Sequence, residues 1–301
     1  MLTSRTRARG QHEAGWSVSA HGTILVEAAG RRYGRVSMVL PQDWRARLGA
    51  AAGPIGSVRS LGGAAWMVGV GRRLVVVKVG PGSADEADGL RRLGDVSGAP
   101  PVPDVVLADG DLLVTTAVEQ VPRTAEHEEV LGRTLARLHR TAVPHWGGGS
   151  AFIGACAIDP APSPDGAAFY GARFEELAQK CRLERAVAPL VARLHEVLPP
   201  GGPVLLHGDL WWGNVLFGAD GRSWLIDPSV HGGHPEEDLA MLALFGPVPD
   251  RVFAAYSEVL PLHPGWEERV ALFQLYPLLV HTVLFGGGYR TRALDVARQF
   301  S

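Results

Sequence analysis

Cysteine is scarce in this chain: Cys156 and Cys181 are the two among 301 residues. A pair without ligand-like spacing excludes a zinc module, and it is too small a set for a disulfide scaffold. The reading is two free thiols in a reducing cytoplasm. Charge of one sign is also lacking: 29 Lys and Arg face 31 Asp and Glu, for a formal net charge of -2. That balance gives no electrostatic footprint for a nucleic-acid partner. No apolar run reaches the roughly 18 residues of a membrane span, so no membrane partner is expected. The Arg-rich opening MLTSRTRARGQHEAGWSVSAHG has no continuous apolar core of the kind a secretion signal needs. Residues 1–37 are expected to be an extension, poorly ordered, with the domain starting at Met38. No repeat of fixed period occurs.

What is present divides the chain in two. QDWRARLGAAA (42–52) has helical composition. SVRSLGGAAWMVGVGRRLVVVKVG then alternates short apolar runs with Gly-rich turns, the mark of consecutive antiparallel strands. EADGLRRLGDV is a short helix, and PVPDVVLADGDLLVTTAVEQ reads as two strands around an Asp109-Gly110 turn. From about residue 125 the periodicity becomes helical, with Leu131, Leu135 and Leu138 on one face. A Gly/Pro-rich loop (145–166) precedes a long helical stretch with an expected break near Pro189. Short strands surround LLHGDL, NVLFG and SWLID, and the remainder is helical. The expectation is an α+β architecture: a small antiparallel-sheet part at 38–118, a larger mainly helical part at 119–301, and a link at 117–124. Phe245, Phe273, Tyr276 and Phe285 sit in apolar helical stretches and are expected in the core.

Into this pattern the sequence inserts charged and amide residues at costly places. HGDLWWGN (207–214) and IDP (226–228) lie between apolar runs, where an uncompensated charge is expensive. Phosphoryl transfer asks for such a set in a fixed order: a flexible backbone cover over the phosphates, a lysine steadied by a carboxylate, oxygen ligands for a cation, and a carboxylate at the acceptor hydroxyl. Gly62 and Gly63 form the candidate cover. Lys78 ends a strand and Glu86 lies in the next helix, within reach of it. Asp209 opens a loop closed by Asn214, and Asp227 ends a strand. Asn214 and Asp227 are oxygen donors that suit Mg²⁺ alongside the phosphates of ATP. Asp209 is left to orient the acceptor hydroxyl and take its proton. His207 is read as a loop-shaping hydrogen-bonding group, and Asp238 as a cap of the following helix that braces the loop. His231 and His234 are also read as loop-structural, since Mg²⁺ favours oxygen over imidazole. Trp211 is either packing or a flat wall for substrate; Trp212 is packing or rim.

HGDLWWGN with IDP resembles the catalytic and metal motifs of aminoglycoside-phosphotransferase-like kinases. The closer likeness is to the fructosamine (ketosamine) kinase family, carried further by VPDV, LGRTLARLHR, GGHPEEDLAMLALFG and the C-terminal LFGGGY. It runs from about residue 50 to the C-terminus. It implies a protein-kinase-like bilobal fold and ATP-dependent phosphorylation of a ketosamine 3-hydroxyl, the acceptor being a small sugar-amine or related hydroxyl compound. It implies that the backbone of Thr115, Thr116, Ala117 and Val118 meets the adenine, and it favours Trp211 as the substrate wall. Two departures stand out. Ala64, Ala65 and Trp66 follow the Gly-Gly turn where the family carries polar residues, which leaves phosphate contact to backbone N–H groups. Residues 150–158 (SAFIGACAI) lack the amide side chains the family shows there, which implies a shifted acceptor preference. On the same fold the alternatives are an antibiotic-type hydroxyl phosphotransferase and a nucleotide-binding pseudokinase.

Overall fold

The computed structural model describes residues 43–301 in full and, before them, the backbone of three short strands. These strands, β1 (Trp16–Val18), β2 (Thr23–Ala28) and β3 (Arg31–Ser37), pair as an antiparallel meander. The rest of the extension expected over residues 1–37 lies outside the described residues.

Helix α1 (Trp44–Ala52) leads into β4 (Ile55–Gly62), β5 (Ala65–Val70) and β6 (Arg73–Val79); α2 (Ser83–Gly94) precedes β7 (Val105–Asp109) and β8 (Leu112–Thr116). The five strands from β4 onward form one antiparallel sheet in the order β4-β5-β6-β8-β7. Its β-branched runs explain the layering: alternate side chains of a strand face opposite sides, so Val75 and Val77 of β6 reach the core together, with Val68, Leu112, Val114, Trp44 and Leu48. The register sets Lys78 directly opposite Ala65 on one side and Leu113 on the other. The β4–β5 turn is thereby fixed beside the lysine. Gly62 and Gly63 make that turn at φ of +95° and +58°, a region glycine enters without penalty.

Residues 117–124 carry the chain without helix or strand to α3 (Ala125–Leu138), which is capped by Thr124 accepting the His127 N–H at 3.3 Å. Leu131, Leu135 and Leu138 are fully buried, as their shared face requires. The Gly/Pro-rich loop folds into a minimal hairpin, β9 (Phe152–Ile153) and β10 (Cys156–Ala157), and α4 (Gly166–Cys181), α5 (Glu184–Ala192) and α6 (Leu194–Val197) follow. The expected break at Pro189 is misplaced. The chain turns at Arg182, whose φ of 56° ends α4 in the left-handed region, and Pro189 lies inside α5.

Short strands β11 (Val204–Leu206), β12 (Val215–Phe217), β13 (Ser223–Leu225) and β14 (His231–Gly233) pair as β11-β14 and β12-β13. Helices α7 (Pro235–Leu242), α8 (Asp250–Ser257), α9 (Trp266–Phe285) and α10 (Gly288–Gln299) complete the molecule. Phe273 and Tyr276 join Phe174 and Leu177 in the helical core. Phe285 is only partly buried, and Phe245 is 42 % exposed, against the expectation of a core position. Both thiols are buried and free. Among the described residues no helix is long and apolar enough to cross a membrane.

Candidate active site

The two parts meet at one ion cluster. Lys78, near the end of β6, donates to Glu86 Oε1 of α2 at 2.6 Å and contacts Asp227 Oδ1 from the helical part. Burial opposes the ammonium, but Asp227 and Glu86 outweigh it and hold the Lys78 pKa above the ordinary lysine value. Burial raises the Glu86 carboxyl, a rise that the neighbouring Lys78 restrains. One cation thus bridges two carboxylates from distant segments, one from each part of the molecule.

Asp227 reaches the cluster through an unusual backbone. Its φ is 55°, a left-handed conformation shared among the described residues with Arg182 alone outside glycine. Such a conformation costs about 1–2 kcal/mol for a residue with a Cβ. Ser229 N–H then donates to His207 O at 2.9 Å, and His207 Nε2 pairs with Ile226 O at 2.9 Å, locking the Asp227 segment to the HGD loop.

The HGD loop hangs from Asp238, which is fully buried. Its Oδ2 accepts the His207 N–H at 2.8 Å and its Oδ1 accepts the Gly208 N–H at 2.9 Å; His139 Nε2 meets Oδ2 at 3.1 Å, and His139 Nδ1 meets Tyr256 Oη at 2.9 Å. Burial works against this carboxylate, yet His139, His207 and the Gly208 N–H together outweigh it and hold its pKa below the usual aspartate value. Gly208 has φ of +80°, and a Cβ there would lie 2.0 Å from Ser229 O. Asp238 therefore braces the loop, but it does not cap α7. It lies inside that helix, and the cap is His234, whose Nδ1 accepts the Glu236 N–H at 3.2 Å. His231 bridges Ser229 O at 2.9 Å and Glu237 Oε1 at 3.0 Å.

Asp209 projects beside this frame. Asn214 Nδ2 donates to its backbone oxygen at 2.8 Å and to its Oδ2 at 3.2 Å. Burial, and after it the Asp227 charge, push the Asp209 carboxyl up to about 7, against the Asn214 hydrogen bond. A carboxylate poised near neutrality is suited to accepting a proton. Trp211 lies two residues on, 38 % exposed, its ring edge-on to Phe245 at 5.6 Å.

Of the four adenine-facing candidates, Thr115 is buried in β8 opposite Val76. The Thr116 N–H is taken by Asp104 O at 2.9 Å and the Ala117 N–H by Leu74 O at 3.1 Å. Among the described residues the Val118 N–H has no protein acceptor. Residues 150–158 are held by backbone and hydroxyl contacts. Ala151 N–H donates to Asp85 Oδ2 at 2.9 Å, Ser150 N–H to Val230 O at 2.9 Å, and Ser229 Oγ to Phe152 O at 2.9 Å. This loop therefore ties α2 to the Asp227 segment. Ser229, His139 and Tyr256 were not singled out in the sequence because their partners lie far away along the chain. The His of LGRTLARLHR, following a buried leucine face, was the one available hint.

Comparison with known proteins gives the family. A family model described as fructosamine kinase matches residues 78–300. The chain belongs to the fructosamine kinase family. A ketoamine kinase homologue from Thermus thermophilus is 35 % identical over 207 residues, covering 68 % of this chain and 77 % of that protein. The chloroplastic protein-ribulosamine 3-kinase of Oryza sativa subsp. indica is 32 % identical, covering 73 % and 69 %. A crystal structure of a candidate fructosamine-3-kinase from Thermobifida fusca superposes on this family member with a TM-score of 0.78 at 36 % identity, over 85 % of this chain and 97 % of that one. The streptomycin–ATP complex of APH(2″)-IIa shares the fold alone, with a TM-score of 0.60 at 14 % identity over 87 % and 99 % of the two chains. The protein is a fructosamine-family kinase, an ATP-using enzyme on the protein-kinase-like fold.

Proposed function

We propose that this kinase transfers the γ-phosphoryl group of ATP to the 3-hydroxyl of a small ketosamine, with Asp209 as the general base. The observation that carries the reading is the meeting of Lys78, Glu86 and Asp227 beside the Asp209–Asn214 pair. The acceptor oxygen attacks the γ-phosphorus, the bond to the β–γ bridging oxygen breaks, ADP leaves, and the hydroxyl proton passes to Asp209. Lys78, steadied by Glu86, neutralises phosphate charge, and the Gly62–Gly63 turn, with the lobe boundary after Val118, covers the nucleotide from above. The Val118 N–H is the free hinge donor for adenine.

Asn214 and Asp227 fit a Mg²⁺ ion. The Asn214 amide nitrogen is committed to Asp209, which leaves its oxygen as the free group, and Asp227 adds carboxylate oxygens. No cluster of three or more His, Cys, Asp or Glu side chains among the described residues forms a complete metal cage, which accords with an ion that completes its shell with phosphate and water. When bound, the ion supplies charge neutralisation at the transferring phosphoryl group. Trp211 offers a wall for the acceptor sugar. Supporting loop roles fall to His207 and Asp238.

The test is ADP release measured against a panel of ketosamines, aminoglycosides and nucleosides, with the phosphate position assigned by NMR. Turnover of a ketosamine with phosphate on the 3-oxygen is expected. Turnover confined to the antibiotic panel would overturn the ketosamine assignment, and no turnover of any acceptor would favour a nucleotide-binding pseudokinase.

A further inference from the structure

Among the described residues, the exposed large apolar side chains are Val58, Leu61, Leu74, Val121, Trp211 and Phe245. The two aromatic ones touch each other, at the same end of the molecule as Asp209. The Trp211 backbone N–H donates to Asp209 O at 3.1 Å, so the patch begins two residues from the proposed base. It continues toward α9 and α10. Phe245 packs on His281 of α9 at 5.3 Å between ring centroids, and His281 packs on Tyr289 of α10 at 4.9 Å. Exposed aromatic surface continuous with a catalytic group marks a ligand contact more often than a packing defect.

His281 is set up as an uncharged member of this patch. Its Nδ1 lies 2.7 Å from Pro277 O, which can only accept, so Nδ1 carries the hydrogen and Nε2 is left as an acceptor. Burial lowers its pKa against the Pro277 hydrogen bond, with a smaller push from the Arg292 charge, and favours the neutral ring. Arg292, on α10, is the formal charge at the rim. Its Nη2 donates one long hydrogen bond, 3.4 Å, to Leu244 O, the residue before Phe245. Among the described residues no carboxylate lies within ion-pair distance of it. The guanidinium thus stands next to the patch with most of its donors uncommitted.

An acceptor reaching from Asp209 across Trp211 lays its aglycone on this surface. A ketosamine carries a secondary ammonium there, which aromatic faces accept, but an aglycone bearing that charge alone would confront Arg292. An aglycone that also carries a carboxylate resolves the conflict, because the guanidinium fork matches carboxylate geometry. We propose that Arg292 reads a carboxylate on the acceptor aglycone at the edge of the Trp211–Phe245–His281 patch, so that ketosamines of free amino acids are preferred over those with the carboxylate capped. This inference rests on the ketosamine-kinase reading above.

The experiment compares kcat/KM for fructosyl-glycine and fructosyl-glycinamide, which differ in the carboxylate, in the unmodified enzyme and in Arg292→Met. Arg292 is exposed, so the variant should fold, and a melting curve checks that it does. An exposed pair of this kind is worth about five-fold in binding. The expected result is a preference of about that size for fructosyl-glycine in the unmodified enzyme, collapsing to near unity in Arg292→Met. Equal kcat/KM for the two acceptors in the unmodified enzyme would overturn the inference, and so would a preference that survives the substitution. Turnover of neither acceptor by the unmodified enzyme would instead overturn the ketosamine-kinase reading on which it rests.

Discussion

His207 and Gly208 hang by their backbone N–H groups from a carboxylate that is fully buried, whereas Trp211, a few residues along the same loop, lies 38 % exposed against an exposed Phe245. One side of the HGD loop is over-determined: Asp238 receives donors from His207, Gly208 and His139, and His139 is itself fixed by Tyr256. The other side is an aromatic surface with few polar commitments. The contrast separates two demands. A general base must be held within a fraction of an ångström of a productive position, and only a buried network of satisfied hydrogen bonds provides that. Recognition of an acceptor tolerates, and gains from, contacts that can be exchanged without disturbing the chemistry.

Breaking the rigid side should therefore cost most. Asp209→Asn keeps the shape and the Asn214 contact but removes proton acceptance. Its kcat is expected to fall about a thousand-fold while the ATP dissociation constant changes little, as measured by steady-state kinetics beside calorimetric titration of nucleotide. A comparable fall in ATP affinity would show that Asp209 binds nucleotide instead of the acceptor hydroxyl. Next comes Asp238→Ala. It strands the His207 and Gly208 N–H groups and His139 inside the protein, a loss of about 3 kcal/mol in stability. The readout is the urea midpoint at pH 7. A change confined to kcat, with the midpoint unmoved, would mean that the network shapes the loop without supporting the fold.

Much of this division was legible in the residues. The strand run LVVVK follows from its β-branched residues, the turn before it from Gly-Gly, and the leucine face of α3 from a period of about 3.6 residues per turn. The motif residues could be placed because HGD, N and IDP are polar islands in apolar surroundings, and islands need a reason. Long-range pairing was not legible: His139 meets Asp238 across 99 residues and His207 meets it across 31. Nothing local marks either contact, which is why Asp238 read as a helix cap. Phe245 read as core because an apolar residue after a helical stretch looks the same whether it faces the interior or a ligand. The break at Arg182 was missed for a related reason. A non-glycine residue in the left-handed region carries no sequence mark, while the proline that drew attention sits inside α5.

A third prediction probes how far the rigid side extends. His234, stacked on Phe273 at 5.4 Å with rings 10° from parallel, caps α7 through an unprotonated Nδ1. Burial, with help from the charges of His263 and Arg269, lowers its pKa from 6.5 to about 3. The folded state thus prefers the neutral ring. Its contribution is complete above the unfolded-state value near 6.5 and is lost as pH falls from there toward 3. Within that window the unfolded chain binds the extra proton, so stability should drop by about 1.4 kcal/mol per pH unit from this group. Urea unfolding at pH 7, 6 and 5 should show a slope that is shallower by one proton in His234→Asn, which retains a capping side chain. An unchanged slope would place the titration elsewhere.

The smallest effect should come from the exposed side, and it turns on a glycine. A Cβ at Gly213 would sit 2.2–2.5 Å from three atoms of the Trp211 ring. The indole therefore lies on bare backbone, and the glycine of WWGN is the seat that holds it against Phe245. Gly213→Ala should lift the ring off that seat, while Trp211→Ala removes it. An aromatic contact of this kind is worth about 1 kcal/mol, so both variants are expected to raise the acceptor KM by roughly five-fold. The KM for ATP and the urea midpoint should stay close to those of the unmodified enzyme. If Gly213→Ala matches Trp211→Ala, the ring acts through its position. If Trp211→Ala impairs the enzyme and Gly213→Ala does not, the indole finds its place without that seat, and the exposed side is more adaptable than its contacts imply. A large fall in kcat for either would erase the contrast itself, because the aromatic surface would then belong to the chemistry rather than to recognition.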